Sequence, residues 1–129
     1  MSRKRYRSKR YLEFIRAHDC VVTGRSHTVA HHVRMDGAGG MGLKPDDYRC
    51  LPLDQIEHRR LHDGGERSYW TAANINPHIM IVSHLVRYLC EHGSERETVE
   101  ALCDVAADLD DKLTPGHVVD ERIRGGGSD

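Results

Sequence analysis

No two cysteines of this chain stand close enough for a CxxC pair: the four lie at Cys20, Cys50, Cys90 and Cys103. That spacing excludes a zinc knuckle and a thioredoxin-type redox centre. Reduced thiols in or beside a core are expected instead, and no disulfides. Nor does any stretch approach the roughly 20 consecutive apolar residues of a membrane span, so no membrane partner is expected. The N-terminus has the charges of a signal peptide but not its apolar core, which makes the cytoplasm the expected compartment. No internal repeat is visible. What remains, 129 residues of which 38% are hydrophobic and 30% charged, fits one modest globular domain.

A net charge of −1 conceals an asymmetry. Residues 1–90 hold 15 Lys and Arg against 9 Asp and Glu, whereas residues 91–129 hold 4 against 11. The opening MSRKRYRSKR carries six bases, among them Arg3, Lys4, Arg5 and Arg7. A basic arm over residues 1–10 suits a phosphate backbone, because each neutralised phosphate releases counterions. A solvated basic tail explains that run equally well.

Beyond the arm, Tyr11, Leu12, Phe14 and Ile15 are spaced for a short amphipathic helix. CVVTG (20–24) and HTVAHHV (27–33) read as strand-like runs that form a small hairpin, and a loop with Gly37, Gly39, Gly40 and Gly42 follows. In LPLDQIEHRRLHDGG, Asp54 is a good N-cap, Glu57 completes a capping box and Gly64 is a stop, so a helix of roughly two turns carries His58 and His62. Asn76 and Pro77 open a core-forming helix with the stripe Ile79, Val82, Val86 and Leu89. Ser94 and Glu97 open another, with Val99, Leu102, Ala106, Leu109 and Leu113 on its inner face. These elements put a single domain over residues 11–113, with a core at 20–64 and C-terminal helices at 77–113. Residues 114–129 read as a frayed tail.

The histidines carry the chemistry. His58 and His62, four apart on a helix, stack on one face within reach of one metal ion. If a hairpin packs over that helix, the pair His31 and His32 at the end of its second strand can complete a three-imidazole site. Successive strand residues point to opposite faces, so only one of the pair can aim at the metal, and the other projects toward whatever is bound beside it. One ligand and one base is the natural division. A phosphodiester needs both: a metal to stabilise charge on the phosphate and leaving oxygen, and an imidazole that titrates near neutrality to take a proton from water. Histidines satisfied by local hydrogen bonds are the plainer explanation, but it leaves four residues converging by chance. His18, His27, His78, His84, His92 and His117 lack such convergence and read as surface or core residues, and Tyr69 and Trp70 as packing.

In AHHV, GAGGMGLKPDDYRC and LPLDQIEHRRLH the chain resembles the HNH endonucleases of the ββα-metal (His-Me finger) fold. The likeness is closest to short phage and prophage members and to the nuclease part of RecA-dependent nucleases. It implies an α+β fold in which a ββα-metal hairpin-plus-helix motif is braced by N-terminal and C-terminal helices, in a bacterial or phage-infected cell. It further implies His32 as general base and His31, His58 and His62 as metal ligands. The family's middle Asn has no counterpart, and Asp47, Tyr48 or Arg49 stand near that position. Where many relatives hold a structural zinc in two knuckles, this chain has Cys20-Val-Val-Thr23 and Asp54-Gln-Ile-Glu57, so no structural zinc is expected.

Three imidazoles suit one divalent Zn²⁺, Mn²⁺, Ni²⁺ or Co²⁺ better than oxygen-seeking Mg²⁺, which ranks behind them. Arg34, Lys44, Arg49, Arg59 and Arg60 surround the motif, and with the basic arm they favour DNA held through phosphate contacts. Nothing encodes base readout, so cleavage is expected to be weakly sequence-specific, with a recombination or packaging protein as a candidate partner. The alternative is a non-catalytic DNA-binding or assembly module that keeps the fold. A purely structural zinc domain ranks last, since His31, His58 and His62 leave a fourth position open as catalytic sites do.

Overall fold

In a computed structural model, which describes residues 6–35, 45–93 and 95–113 and side chains as far as residue 107, the chain is α+β. Among the described residues five α-helices accompany one two-stranded antiparallel sheet. Their order is α1 (Lys9–Arg16), β1 (Thr28–His32), a 3-10 turn (Asp47–Arg49), β2 (Cys50–Asp54), α2 (Gln55–Gly64), α3 (Glu66–Ala73), α4 (Pro77–His92) and α5 (Arg96–Leu113). Among these no helix is long and apolar enough to cross a membrane. Arg3, Lys4, Arg5, Lys44, the four loop glycines, the Ser94 cap, the side chains of Leu109 and Leu113, and residues 114–129 lie outside the described residues.

The hairpin is not the one the sequence suggests. β1 pairs with β2, placing His31 opposite Leu51 and His32 opposite Cys50, while residues 21–23 form a turn. Gly24 closes that turn: it takes φ +77°, and its N–H donates to the Cys20 carbonyl at 2.9 Å. The turn docks on the sheet through Val21 N–H, which donates to the Pro52 carbonyl at 3.1 Å. CLPLD conceals its strand character because it lacks alternation and contains a proline. In a two-stranded sheet, however, both strands are edges, where proline is tolerated.

Asp54 caps α2 as its spacing from Glu57 implies, accepting the Glu57 N–H at 2.8 Å. It also accepts the Thr23 hydroxyl at 2.6 Å and lies 3.5 Å from the Arg25 guanidinium. Burial pushes the Asp54 carboxyl up, but hydrogen bonds from Thr23, the Glu57 N–H and the Cys20 thiol, with Arg25, outweigh it and hold the group below its ordinary value. Cys20, Thr23, Arg25 and the Glu57 N–H thus gather around one hydrogen-bonded carboxylate, that of Asp54. Asp54→Ala is expected to cost about 2 kcal/mol, read by urea unfolding, because it removes a cap and leaves buried donors unmet.

Gly65, at φ +92°, ends α2 and begins α3, a helix that sequence reasoning missed because two consecutive glycines read as a stop. In α4 the Asn76 cap accepts the His78 N–H at 2.9 Å, with Pro77 at the first turn. Its buried face is a correction: Ile81, His84, Leu85 and Tyr88 point inward, whereas Ile79 and Val86 are 52% and 45% exposed. A histidine can sit there because His84 Nδ1–H donates to the Met80 carbonyl at 2.8 Å. In α5 the inward set is Thr98, Ala101 and Val105, with the expected Leu102 partly buried against the core, whereas Val99 and Ala106 are exposed.

The few aromatic residues concentrate where α1, the 3-10 turn and α4 meet: Tyr11 lies 4.9 Å from both Tyr48 and Tyr88, and Phe14 5.0 Å from Tyr88, ring to ring. Edge-on and tilted pairs of this kind favour ring quadrupoles as well as burial. Beside them, His84 faces the His18 ring at 5.5 Å. Burial holds the His84 imidazole below its ordinary pKa; its bond to Met80 opposes this, and His18 and Arg87 reinforce it. The unfolded chain therefore binds the proton more readily. His84's contribution to stability is complete above about pH 6.5 and declines as pH falls through that value. Urea midpoints at pH 7.5 and 5.5 are expected to fall with pH, and His84→Gln is expected to flatten that slope.

Candidate metal centre

The alternation along β1 sends its two histidines to different neighbours. His31, 3% exposed, meets α2; His32 meets the 3-10 turn. On α2, His58 and His62 are one turn apart, with their Nε2 atoms 3.1 Å from each other. The His31 ring lies 5.0 Å from that of His58 and 5.7 Å from that of His62. One nitrogen from each of the three lies within 4.8 Å of the others, a set that could hold a metal ion. Metal ligation needs a bare nitrogen. Burial, followed by the neighbouring His31 and His62, pushes the His58 pKa down against the opposing pull of Glu66, which keeps its imidazole neutral at pH 7. The donor set fits a borderline transition ion better than a hard one.

His32 is held elsewhere. Its Nε2 lies 2.9 Å from Oδ1 of Asp47, a residue 4% exposed. The other carboxylate oxygen accepts the Ser8 N–H at 2.7 Å, and the Arg7 guanidinium lies 3.8 Å from Oδ1. Of Asp47, Tyr48 and Arg49, Asp47 is the residue hydrogen-bonded to His32 here. Tyr48 belongs to the aromatic core, and the Arg49 N–H donates to the Asp46 carbonyl at 3.0 Å.

Residues 6–8 form a strap along the 3-10 turn: Tyr6 N–H donates to Asp46 Oδ1 at 3.0 Å, Asp47 N–H donates to the Tyr6 carbonyl at 3.0 Å, and Ser8 caps α1. The Arg7 guanidinium donates to the Pro45 and Tyr6 carbonyls at 2.9 and 3.1 Å. Paired backbone and a capping hydroxyl thus tie residues 6–10 to the fold. Arg34 and Arg59 are exposed, Arg60 is exposed and 3.5 Å from Glu57, and Arg49 is half-buried.

Sequence reasoning missed Glu66, the first residue of α3. Its Oε2 lies 2.8 Å from His31 Nε2 and accepts the Trp70 indole N–H at 2.9 Å, while Oε1 accepts the Arg34 N–H at 2.9 Å. Burial pushes its carboxyl up, but the His31 contact and the donors from Trp70 and Arg34 prevail and hold it low. The only local signal was an acidic residue in the first turn of a helix, visible only once the paired glycines are read as a joint rather than an end.

A family model described as "Protein of unknown function (DUF968)" matches residues 2–81. The chain belongs to the DUF968 family. The DUF968 match takes in β1, β2, α2, α3 and the start of α4, hence all three clustered imidazoles, Asp47 and Glu66, and it ends before α5. This DUF968 chain is also similar to "Uncharacterized protein YdfU" of Escherichia coli (strain K12), with 33% identity over 60 residues. Those residues are 46% of this chain and 17% of the relative, so the chain corresponds to only a small part of that protein's length. No solved structure matches it.

Proposed function

We propose that this DUF968 chain is a metal-dependent HNH-type endonuclease that hydrolyses DNA phosphodiester bonds, with β1, β2 and α2 as a ββα-metal core. The observation that carries the reading is the separation of the adjacent histidines. His31 joins His58 and His62 within 4.8 Å, while His32 turns to a buried carboxylate. A ligand set alone would serve a structural ion. A non-catalytic DNA-binding module would have no use for a histidine backed by an aspartate.

In the proposed reaction His31, His58 and His62 hold one divalent ion, which supplies charge stabilisation to the phosphate and leaving oxygen. Asp47 accepts the Nε2–H of His32, so Nδ1 is the basic nitrogen. Nδ1 takes a proton from water as the water oxygen bonds to phosphorus and the P–O bond to the departing sugar oxygen breaks. Asp47 then stabilises the imidazolium. Arg34, Arg59 and Arg60 would meet backbone phosphates, which position the strand without reading its sequence.

A plasmid-nicking assay across Zn²⁺, Mn²⁺, Ni²⁺, Co²⁺ and Mg²⁺ tests the reading. Nicking is expected with at least one transition ion, to stop on chelation and return on re-addition. A purified chain that binds a transition ion and DNA yet cuts neither supercoiled nor single-stranded substrate would instead favour the binding module.

A further inference from the structure

The imidazole cluster has a carboxylate behind it that neither the resemblance nor the spacing of the histidines pointed to. Glu66 reaches back from α3 to β1 and accepts at three points: from His31 Nε2 at 2.8 Å, from the Trp70 indole at 2.9 Å and from the Arg34 backbone at 2.9 Å. With both oxygens already occupied by donors, the group is oriented as an acceptor, and it is not one of the set whose ligand atoms lie within 4.8 Å of one another.

A neutral imidazole carries one proton, and the hydrogen bond made by one nitrogen decides which nitrogen keeps it. We infer that Glu66 is the positioning residue of the metal centre, fixing the His31 proton on Nε2 so that Nδ1 is the nitrogen His31 offers to an ion. The inference rests on the metal-dependent reading above and deepens it, because it assigns the partner that orients the one ligand contributed by the strand. It also gives α3 a role. The helix is anchored by Trp70, whose ring is buried in the core and whose N–H shares the same oxygen as His31. Partners of this kind typically change metal affinity about 10–100-fold when removed.

Glu66→Gln tests the assignment in the full chain. A carboxamide has one oxygen where the carboxylate has two, so it cannot accept from His31, Trp70 and Arg34 together. Zn²⁺ and Co²⁺ affinities, measured by chelator competition, are expected to fall about 10–100-fold in E66Q. Trp70→Phe, which removes a different donor to the same oxygen, is expected to stay within about threefold of the parent, far short of that range. In the metal-free parent, ¹⁵N NMR is expected to find the His31 proton on Nε2. Equal metal affinity in E66Q and parent, an equal loss in W70F and E66Q, or a His31 proton on Nδ1 would each overturn the inference while leaving the nuclease reading standing. A parent chain that binds neither ion would remove the metal-dependent reading itself, and the inference with it.

Discussion

His32→Ala is expected to cut DNA about 10²–10⁴-fold more slowly than the parent, the usual loss when a general base is removed, while binding a metal ion at the parent's stoichiometry. His62→Ala is expected to lose both cutting and metal. The contrast follows from the two faces of β1. His62 lies 3.1 Å from His58 and belongs to the set within 4.8 Å, whereas His32 is engaged by Asp47 on the 3-10 turn. Removing His62 leaves two imidazoles, His31 on β1 and His58 on α2, too few to hold an ion against water. Removing His32 leaves all three ligands. Elemental analysis beside a nicking time course measures both quantities on one preparation. Loss of metal in H32A would make His32 a ligand, and parental cutting would deny it the base's role.

What the sequence made legible was local. The Asp54 cap, the four-residue step from His58 to His62 and the Asn76–Pro77 start are each specified within one or two helical turns, and each is found in its expected place. Convergence of His31 on α2 was legible only on the condition that a hairpin packs over that helix. The partner strand was not legible, since Pro52 and an unbroken apolar run disguise β2. The buried faces of α4 and α5 escaped in part because the apolar stripe was laid through Ile79, Val86 and Val99, which are exposed, rather than through Ile81, Leu85, Ala101 and Val105, and in part because polar and aromatic residues were not counted. In the folded chain His84 is satisfied by a carbonyl four residues back, Tyr88 stacks on Tyr11 and Phe14, and Thr98 lies inside. Asp47 and Glu66 stand 15 and 35 residues from the histidines they hold. No periodicity links such positions. Their roles emerge only when the 3-10 turn and α3 are folded against β1.

Asp47→Asn is expected to lower the cutting rate about 10²–10⁴-fold with metal binding intact and with little change in thermal midpoint. The variant replaces two acceptor oxygens by one acceptor and one donor. Besides the Arg7 guanidinium 3.8 Å from Oδ1, Asp47 faces two hydrogen-bonding groups that differ in what they can become: the Ser8 N–H, at 2.7 Å, can only donate, whereas His32 Nε2, at 2.9 Å, can donate or accept. The carboxamide oxygen therefore goes to Ser8, since the opposite arrangement sets a donor against a backbone donor at a cost of about 1–3 kcal/mol. The amide N–H then donates to Nε2, and the His32 proton moves to Nδ1, the nitrogen that must be bare to accept a proton from water. The strap over residues 6–8 stays closed and the fold is kept, yet the base carries its proton on the wrong nitrogen. Asp47→Ala is expected to behave differently, losing stability as well because Ser8 is left without an acceptor. ¹⁵N NMR of the His32 ring in D47N, read beside its nicking rate, checks the chain of cause directly. A proton that remains on Nε2, or cutting at the parental rate with the proton moved, would reduce Asp47 to a clasp for the N-terminal strap.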